Sequence, residues 1–540
     1  MSIIRTGHAA ALLLACACTS TNPSTPPAAS EGSSSDGGSS DGSSSDGSSS
    51  PSDDTSTGGD APAPIEWQGC PDGFSSECAW IDVPLDWDDP DGETITTFLA
   101  RATPSTSPPR AQLWLVMGGP GDSSEIFDQQ GLIGILGLLA PDLEIMTFEH
   151  RGVGESTRLQ CPSLEDPTPG QFGEIPDPLV PECLAQLQER WGDGLRHFSS
   201  TQAARDLAYL IEATTAEQTP VFLYGVSYGT LLVQRFLQLR PERPAGVILD
   251  SVYSPGVQWL DRYDQQWDPV AQRIAEACDA NTECSARFGA PAWESTTATF
   301  DAVSRGHCAD AGLDAAALGR LAFTMIDSGS LRELWLPLLH RLDRCGPADL
   351  IAIGHLRRAL ASLDAGGSPR ASDMLRTQVV LTEEWTDPPP SLAEVEARCV
   401  EAVVCPRVAT RVAEFEPIWP VYRDEYWGMW PDTDVPLLAM NGTWDAKTPV
   451  ETARAAGDHY GGPYQHFVEL PGVTHAVIAN SFTSDGALLP CGLTLMLGFV
   501  DDPTAPLDDA CVDLVEPFDP TASDPALANA FFGTADPWDG

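Results

Sequence analysis

Three short loops along the chain carry a serine, an aspartate and a histidine of the kind that nucleophilic catalysis uses. The first loop, Gly225-Val226-Ser227-Tyr228-Gly229, has the pattern G-x-S-x-G, and the other two contain Asp445 and His475. A serine hydroxyl attacks well only when a base takes its proton, and a carboxylate that orients a histidine makes that histidine the base. The chain order Ser227, Asp445, His475 is the order expected for a serine on a strand-to-helix turn. These three residues are the candidate catalytic triad.

The residues that flank Ser227 predict the turn that such a serine needs. Pro220 to Tyr224 (PVFLY) is a short apolar run typical of a buried strand, and Leu231 to Leu239 is typical of a helix. Glycines on both sides of the serine are needed because a Cβ there would crowd a sharply bent backbone. This context favours a nucleophile over a structural turn serine.

Asp445 and His475 each follow a predicted strand. The strands are Val435 to Met440 and Gln465 to Leu470. In an open α/β sheet the carboxyl ends of the strands border the active-site crevice, so the three side chains can converge there.

Other histidines and acids fit the triad less well. His459 falls late in a predicted helix and His466 inside a strand, whereas Asp432 and Asp434 precede their strand. We interpret these four as surface or capping residues. His150 precedes Ser227 in the chain and is interpreted as structural.

The developing oxyanion of an acyl-transfer reaction needs hydrogen-bond donors, each worth about 3 kcal/mol in the transition state. The backbone N–H groups of Tyr228 and Gly119 are the natural pair. Gly119 lies in the loop Gly118 to Gly121, which follows the early predicted strand Gln112 to Met117. A plain turn is the alternative interpretation of this loop, but its position after an early strand favours an oxyanion donor.

Composition limits the partners of the protein. Among 540 residues, 78 are acidic and 29 basic, for a formal net charge of −49. A duplex nucleic-acid partner, which needs a basic surface, is therefore excluded. The chain has no CxxC pair that would indicate a zinc ribbon, and the predicted chemistry needs neither a metal nor a cofactor.

The amino-terminal segment has the features of an export signal. Ala9 to Ala15 form an apolar run that is too short to span a membrane, and Leu13-Leu14-Ala15-Cys16 resembles the lipobox of bacterial lipoproteins. This resemblance implies that Cys16 is lipidated, that the lipid is the only membrane attachment, and that the protein resides in the cell envelope. The alternative is an ordinary signal cleaved near Ala15 or Ala17. The Ser/Gly/Asp-rich segment Thr19 to Pro64 is expected to be a flexible tether.

Twelve cysteines remain after the two near the signal, Cys16 and Cys18, and an even number in an exported protein predicts disulfides. Sequence alone leaves the connectivity open. The simplest hypothesis pairs neighbours: Cys70 with Cys78, Cys161 with Cys183, Cys278 with Cys284, Cys308 with Cys345, Cys399 with Cys405, and Cys491 with Cys511.

The chain resembles the α/β-hydrolase superfamily, and within it the proline iminopeptidase and tripeptidyl aminopeptidase group of serine peptidases. The motifs that carry the resemblance are Gly118 to Gly121, Arg151 to Ser156, Gly225 to Gly229, Gly442 to Pro449 and Gly472 to His475. The segment from Cys78 to Trp87 and the tail from Cys491 to Cys511 resemble the secreted tripeptidyl aminopeptidase-like branch. The resemblance implies an α/β-hydrolase fold, with a mostly parallel central sheet flanked by helices and a helical cap insertion. One departure is Met117, where the group usually has histidine or asparagine.

Within the cap, the segment Val379 to Trp385 resembles a family segment whose carboxylate binds the free amino terminus of the substrate. The resemblance implies this role for Glu383 first and Glu384 second. A carboxylate suits the role because a partly buried ammonium group must be paired. Two solvated glutamates near a helix end are the alternative.

These observations predict an exported serine exopeptidase that cleaves peptides with a free amino terminus. A carboxylesterase with the same triad is the alternative, followed by a catalytically silent binding lipoprotein. The predicted divisions are a signal peptide (1–15), a tether (16–64), the first part of the hydrolase core (65–253), a mostly helical cap (254–430), and the second part of the core with a disulfide-bonded C-terminal region (431–540).

Overall fold

The computed structural model describes residues 65–74, 76–166, 174–216, 218–240, 242–364 and 370–539. The predicted signal peptide, the lipidation site Cys16 and the tether lie outside the described residues. The strands are β1 (Gln68–Gly69), β2 (Glu77–Pro84), β3 (Thr94–Ala102), β4 (Ala111–Val116), β5 (Leu143–Glu149), β6 (Val221–Val226), β7 (Gly246–Asp250), β8 (Leu437–Gly442) and β9 (Gln465–Leu470).

All nine strands of the described residues belong to one sheet, in the order β1-β2-β3-β5-β4-β6-β7-β8-β9. The six strands from β4 to β9 run parallel, whereas β1 to β3 form an antiparallel edge next to β5. Every residue of β4, β6, β7 and β8 is buried, as expected for parallel strands covered on both faces. The predicted fold class is confirmed.

The helices cover both faces of this sheet and fill the long connection between β7 and β8. Their bounds are α1 (Glu125–Gln129), α2 (Leu132–Leu139), α3 (Val180–Trp191), α4 (Ser200–Thr214), α5 (Tyr228–Leu239), α6 (Trp267–Asp279), α7 (Thr282–Ser285), α8 (Ala292–Ser304), α9 (Ala315–Met325), α10 (Trp335–Arg344), α11 (Pro347–Asp364), α12 (Asp373–Glu383), α13 (Leu392–Glu401), α14 (Val408–Ala413), α15 (Val450–His459), α16 (Val477–Asn480), α17 (Cys491–Asp501) and α18 (Pro525–Phe532). Short 3₁₀ helices lie at Asp177–Leu179, Gly192–His197, Leu260–Gln265, Ala309–Ala311, Leu331–Leu334, Glu416–Ile418 and Ala510–Leu514.

The cap, which comprises helices α6 to α14, shares its hydrophobic core with one face of the sheet. Trp267, Trp335 and Trp385 of this insertion are fully buried in the same cluster as Trp114 of β4. Burying a large aromatic side chain contributes about 2 to 3 kcal/mol, so the shared core fastens the cap to the sheet. A second apolar cluster covers the opposite face of the sheet.

The C-terminal segment also contacts the cap. Helix α18 packs on α11, and the buried guanidinium of Arg341 in α10 donates hydrogen bonds to the carbonyl oxygens of Pro537 and Asp536. The end of the described chain is thus held by cap helices rather than by the sheet.

Within the described residues, six disulfides join neighbouring cysteines, and the predicted connectivity is confirmed. The bonds are Cys70–Cys78, Cys161–Cys183, Cys278–Cys284, Cys308–Cys345, Cys399–Cys405 and Cys491–Cys511. Among the described residues, no helix has the length and apolar character needed to cross a membrane.

Candidate active site

Ser227 lies on a sharp turn between β6 and α5. Its backbone has φ 57° and ψ −127°, a conformation that costs free energy in a residue other than glycine. The glycines on either side are obligatory here: a Cβ on Gly225 would lie 2.5 Å from the carbonyl oxygen of Gly229, and one on Gly229 would lie 2.3 Å from that of Val116. The turn therefore places Ser227 directly after the carboxyl end of β6, as the G-x-S-x-G pattern predicts.

Asp445 and His475 lie in the loops that follow the neighbouring strands β8 and β9, and they contact one another. The Nδ1 atom of His475 is 2.9 Å from Oδ2 of Asp445. The aspartate is fully buried and also accepts hydrogen bonds from the backbone N–H groups of Lys447 and Thr448 and from the Thr448 hydroxyl. These donors hold the carboxylate in place beside the imidazole.

The electrostatics of this pair follow from burial and mutual attraction. Burial alone would raise the pKa of Asp445, but the charge of His475 and the surrounding hydrogen bonds hold that pKa below its ordinary value. Burial alone would lower the pKa of His475, but the negative charges of Asp445 and Asp327 raise it above its ordinary value. An imidazole in this setting readily accepts a proton.

Asp250, which the sequence analysis did not single out, links Ser227 to the loop of His475. Its carbonyl oxygen, at the end of β7, accepts a hydrogen bond from the N–H of Ser227. Its buried carboxylate accepts hydrogen bonds from the N–H groups of Val477 and Ile478, just after His475. The position of Asp250 at the end of an apolar strand (GVILD) is the one signal in the sequence.

The glycine loop after β4 packs directly on the turn of Ser227. A Cβ on Gly118 would lie 2.9 Å from the Cβ of Ser227 and 3.3 Å from the backbone nitrogen of Tyr228. Gly119 adopts φ 118°, which other residues rarely adopt. The two predicted oxyanion donors, Gly119 and Tyr228, thus belong to segments that are in contact beside Ser227.

Glu149, another residue that the sequence analysis missed, holds this glycine loop. One of its carboxylate oxygens accepts hydrogen bonds from the hydroxyl of Ser123 and from the hydroxyl and N–H of Ser124. Complete burial raises the pKa of Glu149 to about 7 despite these hydrogen bonds. Its neighbour His150 is also buried, which lowers the pKa of that imidazole to about 4, and its ring packs edge-on against Tyr228.

Glu383 and Glu384 lie at the end of α12; Glu384 is buried, and the side chain of Glu383 is 9% exposed. Oε1 of Glu383 accepts a hydrogen bond of 2.7 Å from the N–H of Ser200, and Oε2 lies 3.8 Å from the guanidinium of Arg235. The hydroxyl of Ser200 shares a hydrogen bond of 2.8 Å with that of Tyr228. Glu383 is therefore connected through one residue to the residue that follows Ser227.

Glu384 differs from Glu383 in lacking a partner. It is 1% exposed, and its Oε2 atom, like that of Glu383, has no hydrogen-bond partner among the described residues. Unlike Glu383, it has neither a bond from Ser200 nor an ion pair with Arg235. Burial, and secondly the charge of Glu383, raise the pKa of Glu384 to about 8. Burial raises the pKa of Tyr228, the residue after Ser227, and the charges of Glu383 and Glu384 raise it further.

A cavity of about 420 Å³ opens beside Glu383. Its wall includes Glu383, Thr382, Tyr422, Asp424 and Trp427, whereas Ser227 and His475 are not among its lining residues. The cavity thus adjoins Glu383, and Glu384 is not part of its wall.

The alternative residues have structural surroundings. His459 bonds the carbonyl oxygen of Pro431 through Nε2 and packs on Trp430, and His466 lies within β9. Asp432 and Asp434 precede β8, as expected.

A cluster with metal-ligand spacing occurs among the described residues at Asp264, Cys399 and Cys405. The two cysteines are joined in a disulfide, and the carboxylate of Asp264 accepts hydrogen bonds from Ala409 and Thr410. A disulfide sulfur is not a thiolate ligand, so this cluster is a structural element of the cap.

Comparison with known proteins agrees with this geometry. Residues 113–287 match the alpha/beta hydrolase fold family. The chain is 29% identical over 213 residues to a tripeptidyl aminopeptidase of Streptomyces lividans, a match that covers 36% of this chain and 39% of that protein. It is 24% identical over 252 residues to the serine protease Hip1 of Mycobacterium tuberculosis, covering 41% of this chain and 46% of that protein.

A proline iminopeptidase of Aeromonas sobria is 29% identical over 223 residues, covering 40% of this chain and 45% of that protein. The chain thus spans less than half the length of the curated relatives it matches. The family match begins in β4 and ends after α7, so it contains the glycine loop, the turn of Ser227 and the end of β7. The sheet topology is that of an α/β-hydrolase fold, and residues 113–287 are similar in sequence to that fold family and to these peptidases.

Proposed function

We propose that this protein is an exported serine exopeptidase that removes residues or short fragments from the free amino terminus of peptides. Ser227 attacks the scissile carbonyl while His475 takes the hydroxyl proton and then gives it to the leaving amine. Asp445 orients the imidazole through Nδ1 and stabilises its protonated form. Water then hydrolyses the acyl-enzyme, with His475 acting again as the base.

The oxyanion that forms in each step is assigned to the backbone N–H groups of Tyr228 and Gly119. Support comes from the contact between Gly118 and the turn of Ser227, which leaves no room for a side chain between the two segments. Preorganised backbone donors stabilise the developing charge without reorganising during the reaction.

The observation that carries the peptidase assignment is the unpartnered, buried carboxyl of Glu384. Such a group is costly unless something pairs with it, and an ammonium group supplies both an opposite charge and hydrogen-bond donors. Glu383 already accepts a hydrogen bond from Ser200 and faces Arg235. This difference favours Glu384 as the primary ligand of the substrate amino terminus and Glu383 as the supporting one, the reverse of the order implied by sequence resemblance.

The net charge of the protein bears on which peptides are favoured. With a formal charge of −49, the surface attracts basic peptides over a screening length of about 8 Å at physiological salt. The rate of capture of a basic peptide is expected to fall as salt is added. A rate that does not change with salt would contradict electrostatic steering.

The location in the cell is part of the proposal. The apolar run Ala9 to Ala15 and the lipobox-like sequence that ends at Cys16 support a lipoprotein of the bacterial cell envelope, with 16–64 as its tether. Wild-type protein should take up a radiolabelled fatty acid, and replacing Cys16 with serine should abolish that labelling. Wild-type protein that takes up no label and is already free of the membrane fraction would leave the ordinary cleaved signal as the explanation of export.

The experiment that tests the function compares matched substrates. Amides of one, two and three residues with a chromogenic leaving group, each with a free or acetylated amino end, are assayed beside a simple acyl ester. Wild-type protein, Ser227→Ala and Glu384→Gln are compared, with Glu396→Gln as a control because Glu396 is an exposed residue of α13.

An exopeptidase predicts serine-dependent cleavage of the free-amine amides, little cleavage of the acetylated ones, and a selective rise in KM for free-amine amides in Glu384→Gln. Ester cleavage that ignores acetylation and the Glu384 substitution would make the protein a carboxylesterase. Absence of turnover of any of these substrates by wild-type protein would favour the binding lipoprotein.

A further inference from the structure

A second carboxylate, supplied by the cap, lies against the loops of Asp445 and His475. Asp327 follows helix α9 and is 7% exposed. Its Oδ1 atom accepts hydrogen bonds from the N–H of His475 at 3.4 Å and from the N–H of Ala446 at 3.5 Å. One side chain of the cap therefore touches the backbone of both loops that carry the base and its orienting acid.

The negative charge of Asp327 is balanced by the only lysine of the chain. The Nζ atom of Lys447 lies 3.1 Å from Oδ2 of Asp327 and 4.8 Å from the ring centroid of Phe323, in the last turn of α9. The backbone N–H of Lys447 donates to Oδ1 of Asp445. Lys447 thus contacts the acid of the triad through its backbone and the cap through its side chain.

We infer that Asp327 and Lys447 form a positioning pair that locks the cap onto the triad loops and adjusts the proton affinity of His475. The inference rests on the proposed role of His475 as the base. Asp327 favours the protonated imidazole, and Lys447 opposes it while keeping Asp327 ionised within the buried site.

Several other groups share this environment. The charged and titratable groups around His475 are Asp445, Lys447, Asp327, Asp250, Arg332, whose guanidinium donates to the carbonyl oxygen of Gly472, and Tyr263. Burial is the largest influence on Asp327 itself and raises its pKa, while Lys447 and His475 lower it. Of these groups, Asp327 is the one that a cap element brings into hydrogen-bond contact with the backbone of His475.

The test is the pH dependence of the reaction of Ser227 with a fluorophosphonate probe, which needs the nucleophile and the base but no peptide. Asp327→Asn removes a negative charge and leaves Lys447 unbalanced, and both changes disfavour protonated His475. The acid limb of the profile should move to lower pH by about one unit. In the double variant Asp327→Asn with Lys447→Gln the shift should be smaller, because the opposing positive charge is also gone.

Two further variants separate loss of the Asp327 charge from effects on folding. Asp327→Ser removes the same charge with a smaller side chain and serves if Asp327→Asn does not fold. Asp349→Asn is the matched control, since Asp349 is a buried cap aspartate that pairs with Arg341 and is not among the groups around His475.

In the control variant Asp349→Asn, the acid limb of the pH profile should lie where it does in the wild type. If the acid limb of the pH profile does not move in folded Asp327 variants, the proposed role of the Asp327–Lys447 pair is wrong. It is also wrong if the limb moves equally in the single and the double variant. A wild-type protein that does not react with the probe would instead remove the proposed function on which the inference depends.

Discussion

Replacing Glu384 with glutamine should make the stability of the folded protein far less dependent on pH. The wild-type carboxyl is 1% exposed, has an oxygen without a partner, and has a pKa of about 8 rather than the ordinary 4.5. Glutamine has nearly the same shape and does not ionise. The difference in stability between the two proteins therefore reports the cost of the buried charge.

The size and sign of this effect follow from linkage. Between pH 4.5 and about 8 the folded wild type keeps a proton on Glu384 that the unfolded chain has lost, so its free energy of unfolding falls as the pH rises. Each pH unit across this interval corresponds to 1.36 kcal/mol, so the whole interval corresponds to about 5 kcal/mol. The contribution is complete below pH 4.5 and lost above about pH 8.

Urea unfolding of the oxidised protein measures this change at about pH 5 and about pH 8.5, near the two ends of the interval over which Glu384 binds its extra proton. The stability of Glu384→Gln relative to wild type should increase by several kcal/mol, about 3 to 5, from the lower to the higher pH. The exposed control Glu396→Gln should differ from wild type by less than about 0.5 kcal/mol at both pH values. A relative stability of Glu384→Gln that does not change with pH would show that Glu384 is ionised and paired throughout, and would remove the argument for an ammonium ligand.

Two further changes test other parts of the molecule. Asp445→Asn should keep the fold but lower kcat by about ten-thousand-fold, because the amide favours the wrong imidazole tautomer; a loss below about tenfold in steady-state kinetics would contradict the orienting role. Replacing Cys308 and Cys345 with serine opens a loop between cysteines that are 37 positions apart and should lower the free energy of unfolding by about 4 kcal/mol, measured with urea; unchanged stability would mean that the surrounding cap holds the loop closed without the bond.

Much of the fold and the position of the triad loops could be predicted from short patterns in the sequence. The apolar runs before Ser227, Asp445 and His475 predict strands, and the structure has β6, β8 and β9 there, each within about two residues of the predicted bounds. Glycine spacing identified the sharp turn because only a residue without a Cβ fits on either side of it.

Residues that act through distant contacts left no such signal. Asp250 reaches the loop after β9 across more than 220 positions in the chain, and Asp327 reaches His475 across 148. Glu149 lies in a strand whose pattern indicates only burial. Hydrophobic periodicity reports which face of an element is buried, and it does not report which distant donor a buried carboxylate will meet.

The relative roles of Glu383 and Glu384 illustrate the same limit. The two are adjacent in sequence, and resemblance alone implied Glu383 first. The structure distinguishes them because Ser200 and Arg235, far away in the chain, bind Glu383 and leave Glu384 without a partner. Only the contacts of Glu383 with Ser200 of α4 and Arg235 of α5 separate the paired carboxyl from the unpaired one.

The most direct test of the proposed mechanism is intact-protein mass spectrometry after reaction with a fluorophosphonate, followed by mapping of the modified peptide. A nucleophile activated by His475 and Asp445 predicts a single adduct on Ser227, formed faster as the pH rises, and none in Ser227→Ala. Wild-type protein that stays unmodified, or an adduct on another residue that persists in Ser227→Ala, would contradict Ser227 as the nucleophile.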